Sequence, residues 1–375
     1  MFDRRLIENW DWILLLLLML LAAISIANLY SATYPIRDMG GSQIFVKQIY
    51  WYMIGFSIFL LMTTFNYYKL LQLAYPVYFV SIALLILVLI IGKTTSGSQR
   101  WLAVGPISIQ PSEFAKISIV LVLAKFFGEG DRYQEYGLRE ILLPLILIGL
   151  PAVLILKQPD LGTTLHLTAA ALSILIFVRL NWKSVAILAV PTICMSPLVW
   201  FILKDYQKAR ILIFLNPDMD PLGAGYHINQ SKIAIGSGQF WGKGFLNGTQ
   251  TRLQFLPEQH TDFAFSVLAE EWGFFISIIL LLVYLFLVLW GLNIAKDAKN
   301  RFGSLLAVGF VAIAFWQVIT NVGMVTGLLP VVGIPLVLFS YGGSSIISTM
   351  AAMGLLMNIS MRRFMFSNGA GLPER

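Results

Sequence analysis

Charge is what this 375-residue sequence has least of: Asp, Glu, Lys and Arg make up 12% of it, against about 25% in an ordinary soluble domain. Apolar residues make up 58%, above the about 45–50% of soluble chains, and the two figures together exclude a water-soluble globule. Cysteine is nearly missing. The single Cys194 cannot form an intrachain disulfide, and it lies inside an apolar run where it says nothing of redox compartment. There is no internal repeat of the kind that builds a transporter from two related halves, and no low-complexity tract. Basic residues outnumber acidic ones by 26 to 19, a net charge of +7, but they are scattered between apolar runs instead of clustered, which excludes a nucleic-acid partner. An integral membrane protein uses such an excess at the cytoplasmic ends of its spans.

The apolar residues fall in runs. A helix needs about 20 apolar residues to cross the hydrocarbon core, and runs near that length occupy 11–31, 48–65, 72–92, 141–157, 161–180, 183–203, 263–292, 304–328 and 336–360. A shorter run over 112–127, opened by Pro111 and carrying Glu113 and Lys116 near its start, reads as a tenth span with a polar outer end. Ten spans put both termini on one side. With the N-terminus cytoplasmic, fourteen of the 26 basic residues fall inside and twelve outside. Six of those twelve (Lys204, Lys208, Arg210, Lys232, Lys243 and Arg252) lie in one long loop, where the charge rule carries less weight. The expected architecture is an all-α polytopic membrane protein of ten transmembrane helices, a single integral membrane domain over 1–364. Both termini are cytoplasmic, a large external loop over 204–262 joins spans seven and eight, and 365–375 form a cytoplasmic tail. Arg4 and Arg5 precede the first run as in a signal peptide, but the run exceeds a typical h-region and more spans follow, so it is retained.

Lipid alone explains the spans, so function is sought where polar groups gather on the outer side. Gln99-Arg100-Trp101 leads to Gln110-Pro111-Ser112-Glu113, and Glu113 with Lys116 at i, i+3 share a helical face. They form either a local ion pair at a helix start or part of a polar cavity. Gln158-Pro159-Asp160-Leu161-Gly162-Thr163 is a tight turn in which Asp160 or Thr163 suffices as a helix cap. His166 reads as an interhelical contact, having no second ligand at i+4. The long loop holds Arg210 and a glycine-rich stretch from Gly223 to Gly248. Its spacing refuses a phosphate-binding loop: Ser237 stands where the first Gly belongs and Gly244 where Ser or Thr belongs after Lys243. Trp241 likewise breaks a dinucleotide fingerprint. Residues 226–235 read as an amphipathic segment on the membrane surface, where Arg210 and Lys232 are either solvated charges or phosphate contacts. In Leu256-Pro257-Glu258-Gln259-His260-Thr261-Asp262-Phe263, three ionisable side chains immediately precede a long span. Asp262 is either an N-cap or a partly desolvated carboxylate able to act as general base or to hold a divalent cation. Glu270 and Glu271 lie deeper, and at least one requires a partner or a wet recess.

These runs, with Pro221-Leu222-Gly223-Ala224-Gly225-Tyr226 and Ser340-Tyr341-Gly342-Gly343-Ser344-Ser345, resemble the motifs of the SEDS (shape, elongation, division and sporulation) family, in family order from about residue 10 to 364. Leu329-Pro330-Val331-Val332-Gly333-Ile334-Pro335-Leu336 is similar to the rod-shape branch; Val337 departs from the second Pro of many members. The resemblance implies an enzyme of the bacterial cytoplasmic (inner) membrane, a peptidoglycan glycosyltransferase acting on its periplasmic face. It would polymerise lipid II, release undecaprenyl diphosphate, and work beside a class B penicillin-binding protein and other elongation-complex membrane proteins. By the same resemblance Asp262 matches the family's essential carboxylate, and Glu113 with Lys116 a charged pair lining the cavity.

Glycan polymerisation needs a base at the acceptor 4-hydroxyl, cations for the departing diphosphate and an apolar groove for two polyprenyl tails. Asp262 is the candidate catalytic residue. Candidate substrate-binding residues are Glu113, Lys116, Arg100, Trp101, Arg210, Gln158, Asp160, Glu258, His260, Ser340, Tyr341 and Ser344. The α-linked donor and β-linked polymer imply inversion without a glycosyl-enzyme intermediate. The residues fix no cofactor; a divalent cation (Mg or Mn) at the diphosphate, held by Asp262, is a second role open to that carboxylate. A lipid-linked-precursor flippase would need ionisable groups near the midplane, whereas the charges here cluster on one face; a non-catalytic scaffold would tolerate loss of any outer carboxylate.

Overall fold

Asp11 starts the first helix. Its carboxylate accepts the Leu14 amide at 3.1 Å, satisfying one of the donors a helix leaves unpaired at its beginning, and α1 (Trp12–Thr33) follows. A short 3-10 turn opened by Pro35 and closed by Gly40, at φ +106, leads into α2 (Gly41–Thr64), then α3 (Tyr68–Ile91). The computed structural model describes residues 9–363 apart from 96–97, 106, 131–134, 182, 185, 188–200, 202, 204, 221–222 and 257. An antiparallel meander comes next, β1 (Lys93–Thr95), β2 (Ser98–Val104) and β3 (Ile107–Ile109), registered Thr94 to Gln99 and Leu102 to Ile109. Hydropathy had marked no strand there. Pro111, whose missing N–H is not needed in a first turn, opens α4 (Pro111–Gly128), and α5 (Leu138–Lys157) and α6 (Leu161–Phe177) follow. The long segment beyond holds α7 (Asp205–Leu215), α8 (Ala224–Ser237) and α9 (Thr249–Arg252). The chain ends in α10 (Ala264–Lys296), α11 (Arg301–Val325) and α12 (Gly343–Met361).

Seven of these, α1 with its 3-10 turn, α2, α3, α5, α10, α11 and α12, are long and apolar enough to cross a membrane, and α6 is a shorter apolar helix. Apart from the meander, the described residues form an all-α polytopic membrane protein. The expected span over 183–203 lies largely outside them, as do Arg4, Arg5, Cys194, Lys204, Pro221, Leu222, Pro257 and the 365–375 tail. Burial separates inner from outer helices: 83% of the apolar window is buried in α11 and in α12, against 22% in α2. α11 packs on α4 and α6 at Gly309, where any Cβ would stand 2.4 Å from Val120 Cγ1. Outer helices turn residues such as Phe79 and Ile90 outward, as lipid-facing helices do.

Two breaks in helical backbone matter for the rest. The first explains the glycine-rich stretch. At 33 residues, α10 is about 50 Å long at 1.5 Å per residue, but Gly273 leaves helical geometry at φ +74. Into the gap comes the backbone of 239–244: Lys243 N donates to Glu270 O at 3.0 Å and Gly244 N to Glu271 O at 2.9 Å, while Phe274 N donates to Gln239 O at 2.8 Å and Phe275 N to Phe240 O at 3.1 Å. A Cβ on Gly242 would lie 2.2 Å from Glu271 O. The glycines permit this approach of main chain to main chain, which accounts for them without a nucleotide. α8 lies alongside. Ile228 and Ser231 are buried against the bundle, with Ser231 Oγ donating to Val325 O at 2.6 Å, and Ile233 is exposed.

The second break shortens an expected span. Residues 336–342 are apolar enough to read as the start of a helix over 336–360, yet α12 begins at Gly343. Pro330 and Pro335 lack N–H donors, Gly333 sits at φ +71 and Leu338 at φ +51, and the carbonyls of this segment are taken by side chains. Ser25 Oγ donates to Phe339 O (2.6 Å), Tyr52 Oη to Leu338 O (2.9 Å), Tyr284 Oη to Val337 O (2.6 Å) and Gln48 Nε2 to Ser340 O (3.2 Å). Hydropathy reports burial, and this segment is buried without being helical.

Gly242→Ala and Gly273→Ala are each expected to cost about 1–3 kcal/mol from backbone strain alone. Both should melt well below wild type in detergent, whereas Gly236→Ala, with open space at its Cβ, should not.

Candidate active site

Asp262 lies two residues before α10, in a turn held from several sides. Glu258, at φ +47, accepts the Thr261 amide at its carbonyl (3.0 Å), and Thr261 Oγ1 donates to its carboxylate (3.0 Å). Gln259 Nε2 donates to Ala32 O (2.9 Å) and Asn28 Nδ2 to Ala264 O (2.9 Å), tying the turn to α1. Tyr341 N donates to His260 O at 2.9 Å. Asn321 of α11 donates through one amide to both Asp262 O and Ile334 O, each at 2.8 Å, and Gln317, one turn earlier, donates to Pro335 O at 2.8 Å. The N-cap position of α10 is Phe263, with no side-chain cap, so the capping role open to Asp262 is not the one it takes. Its carboxylate makes no hydrogen bond or ion pair among the described residues. Gly333 leaves room beside it, since a Cβ there would stand 3.3 Å from Asp262 Oδ2.

The charges around that carboxylate come from distant parts of the chain. Desolvation and the neighbouring Glu258 push the Asp262 pKa up to about 6, Arg210 and Arg100 pull against them, and Asp160 adds a smaller push upward. Burial lowers the pKa of His260, against the opposing field of Glu258, so its ring is neutral at pH 7; that ring lies 6.0 Å from the ring of Tyr341. Arg100, on β2, reaches across to the turn between α5 and α6. Its Nε lies 3.4 Å from Gln158 O and 3.6 Å from Asp160 Oδ2, and Nη2 donates to Pro159 O. Trp101 follows it on β2, half-buried and paired in register with Lys93. Gln158 and Asp160 are buried and engaged: Gln158 Nε2 donates to Leu85 O (3.1 Å), and the Asp160 carboxylate accepts Thr163 N (3.1 Å) and Thr163 Oγ1 (2.9 Å).

The second expected pair forms a separate feature. Glu113 Oε1 and Lys116 Nζ are 2.8 Å apart on α4, and Ser348 Oγ of α12 donates to Glu113 Oε2 at 2.9 Å. They line a narrow recess together with Phe310, Ile313, Val337 and Met353. His166 is buried nearby, its Nε2 2.7 Å from Ile313 O. Ser344 Oγ accepts the Gln110 amide (3.2 Å), joining the top of α12 to that of α4, and Ser340 Oγ accepts Leu336 N (2.9 Å). The structure thus gathers Asp262, Glu258, Arg100, Arg210 and Asp160 within electrostatic reach, while Glu113, Lys116 and Ser348 line the recess. Glu270 accepts Lys243 Nζ (2.7 Å), Thr249 Oγ1 (3.0 Å) and Gln250 N (3.0 Å), and Glu271 accepts Ser31 Oγ. Both are anchors of neighbouring segments.

Sequence reasoning missed Asn321 and Gln317. A signal was present: two amides spaced i, i+4 inside an otherwise apolar span share one face and require buried partners.

The sequence matches the family model of the cell cycle proteins FtsW, RodA and SpoVE over residues 10–364. It is 46% identical over 291 residues, 77% of this chain and 78% of the relative, to the peptidoglycan glycosyltransferase MrdB of Escherichia coli (strain K12). It is 32% identical over 429 residues, 95% of this chain and 99% of the relative, to the peptidoglycan glycosyltransferase RodA of Treponema pallidum (strain Nichols). Among solved structures it resembles a chain of a peptidoglycan synthase complex that coordinates polymerization and crosslinking, at TM-score 0.79 and 33% identity, covering 95% of this chain and 98% of that one. It also resembles the rod shape determining protein RodA of Thermus thermophilus, at TM-score 0.69 and 29% identity, covering 95% and 98%.

Asn321→Leu strands the carbonyls of Asp262 and Ile334, and a stranded buried carbonyl costs about 1–3 kcal/mol. The variant is expected to lose about 2 kcal/mol or more of stability, read as a lowered melting temperature in detergent.

Proposed function

This chain belongs to the FtsW, RodA and SpoVE family and is a RodA-like peptidoglycan glycosyltransferase of cell elongation, and we propose that it polymerises lipid II with Asp262 as the general base. The observation that carries this reading is the Asp262 carboxylate itself: half-buried, uncapped, free of ion pairs among the described residues, and within reach of the charges of Arg100 and Arg210. A carboxylate held by a helix N-terminus or a salt bridge would be a weaker base. With a pKa of about 6, this one is ionised at pH 7 yet basic enough to accept a proton, the poise general-base catalysis favours.

In the proposed reaction the acceptor 4-hydroxyl attacks C1 of the donor sugar. The new C1–O bond forms as the bond from C1 to the diphosphate breaks, the hydroxyl proton passes to Asp262, and undecaprenyl diphosphate departs with the electron pair. Attack opposite the leaving group converts the α-linked donor into a β-linked product in one inversion. Arg100 and Arg210 hold the charge that develops on the diphosphate, fixed groups needing little reorganisation at the moment of reaction. Glu258, His260 and Trp101, with Ser340, Tyr341 and Ser344 at the head of α12, would shape the approach to Asp262. Glu113 and Lys116 would keep the inner recess polar.

A divalent cation fits the same place. Among the described residues no three His, Cys, Asp or Glu side chains gather into a metal cage, but Mg²⁺ bound to a diphosphate needs only one or two protein carboxylates. Asp262, with Glu258 beside it, would hold Mg²⁺ or Mn²⁺, which would supply further neutralisation of the diphosphate.

The chain is a multi-pass inner-membrane protein. We assign it ten spans in one integral domain over 1–364, both termini cytoplasmic, the loop over 204–262 and Asp262 on the periplasmic face, and 365–375 as a cytoplasmic tail. The excess of cytoplasmic basic residues supports that orientation. The likeness to a chain of a synthase complex that couples polymerization to crosslinking supports a class B penicillin-binding protein as partner, within a larger set of elongation-complex membrane proteins.

Purified protein given labelled lipid II tests the reading. Wild type with its partner should make glycan polymer, and Asp262→Asn should make none while melting like wild type; polymer from that variant removes Asp262 from the role. The rate of wild type should fall on acidification with a midpoint near pH 6, because below its pKa Asp262 is protonated and cannot take the proton. Arg100→Met, which deletes a cation favouring the carboxylate, should move that midpoint to higher pH. Glu113→Ala and Lys116→Ala should each lower turnover more than tenfold, since either leaves a poorly solvated charge without its partner.

A further inference from the structure

We infer that Asp160 is a positioning residue acting through Arg100: the Gln158-Pro159-Asp160 turn is a guanidinium clamp that fixes Arg100 beside Asp262 for the departing diphosphate. The inference rests on the reading of Arg100 as a diphosphate contact and adds how that contact is held in place.

Arg100 and the turn are about sixty residues apart in the chain, yet one edge of the guanidinium is received by three acceptors in a row. Nε faces Gln158 O at 3.4 Å and Asp160 Oδ2 at 3.6 Å, and Nη2 donates to Pro159 O. Among the described residues Nη1 makes no hydrogen bond. The turn itself cannot yield. Gln158 N and Asp160 N both donate to Ile155 O, at 3.0 and 3.3 Å, and Thr164 Oγ1 donates to Asp160 O at 2.8 Å. The Gln158 amide bonds Leu85 O of α3, and both Asp160 oxygens are bonded by Thr163. The side chain of Asp160 is 4% exposed and that of Arg100 is 22% exposed, so Arg100 is the member of the pair that a ligand can reach. Gln158 and Asp160 therefore serve the reaction without touching substrate.

The arrangement also suits the leaving group. Two of the three acceptors are neutral carbonyls, and the carboxylate contact is longer than a close bidentate pair, so the guanidinium is oriented while its charge is not fully cancelled. A long side chain fixed before the reaction loses less freedom when the anion arrives. Asp160 also caps α6, and this second role can be separated from the first. Asn is as good an N-cap as Asp, so Asp160→Asn keeps the acceptor for the Thr163 amide and removes only the charge facing Arg100.

The test is a double-mutant cycle on the full-length protein with its partner, read as lipid II polymerisation and as inhibition by inorganic diphosphate. Asp160→Asn should melt like wild type, polymerise at least tenfold more slowly and need at least tenfold more diphosphate for half-inhibition. Arg100→Met should show the same two changes, and the double variant should be no worse than Arg100→Met alone. Losses that multiply in the double variant, or a folded Asp160→Asn with wild-type rate and inhibition, overturn the clamp. Asp160→Ser, a second capping residue, carries the same expectations if Asp160→Asn does not fold. The base reading stands or falls separately on Asp262→Asn: activity in that variant removes the base, while multiplying losses beside an inactive Asp262→Asn remove only the clamp.

Discussion

Backbone that leaves the helix among apolar spans persists only where each carbonyl meets a donor, because no water is there to supply one. In this chain that requirement falls on residues 334–340, and six side chains from four helices meet it: Ser25 of α1, Gln48 and Tyr52 of α2, Tyr284 of α10, and Gln317 and Asn321 of α11. Interhelical packing in lipid lacks the hydrophobic drive that works in water, so these bonds define where the helices meet. Sliding α1 or α11 by one turn would strand carbonyls at about 1–3 kcal/mol each. Asn321 extends the same network to Asp262, and the position of the candidate base is therefore set by what holds the bundle together.

The loop-bearing end of the bundle is built on a different principle. There the main chain pairs with itself, through glycines that let 239–244 enter the break at Gly273 and through the meander that carries Arg100. Of the charged groups near Asp262, Arg100 is held by the turn before α6 and Glu258 stands in the turn before α10. A glycosyl transfer needs rigid cations and a base within one small volume, beside enough apolar surface for lipid tails.

Much of this was legible in the residues. Seven of the expected spans were, because the bilayer imposes a length and a composition on a crossing helix. Asp262 stood out because three ionisable side chains before a span have no solubility reason to be there. The loop over 336–342 was misread as helix for the reason those seven were legible: hydropathy measures burial, and Val337, Leu338 and Phe339 are buried in an irregular conformation. The strands at 93–109 are short and carry no regular alternation, and so gave no signal. Whether Asp262 capped its helix depended on a one-residue difference in where α10 starts, finer than any boundary read from sequence. The partners of Glu270 lie 19 to 27 positions away, and only the fold brings them together.

The break at Gly273 divides α10 into a short piece, 264–272, and a longer one, 274–296, which at 1.5 Å per residue is about 34 Å and spans the hydrocarbon unaided. The short piece begins two residues after Asp262 and holds, through Glu270, the lysine and threonine hydroxyl of the segment outside it. The backbone of 239–244 bonds to both pieces, to Glu270 and Glu271 on one side of the break and to Phe274 and Phe275 on the other, so it splints the break and fixes the angle at which the short piece presents the turn of the candidate base.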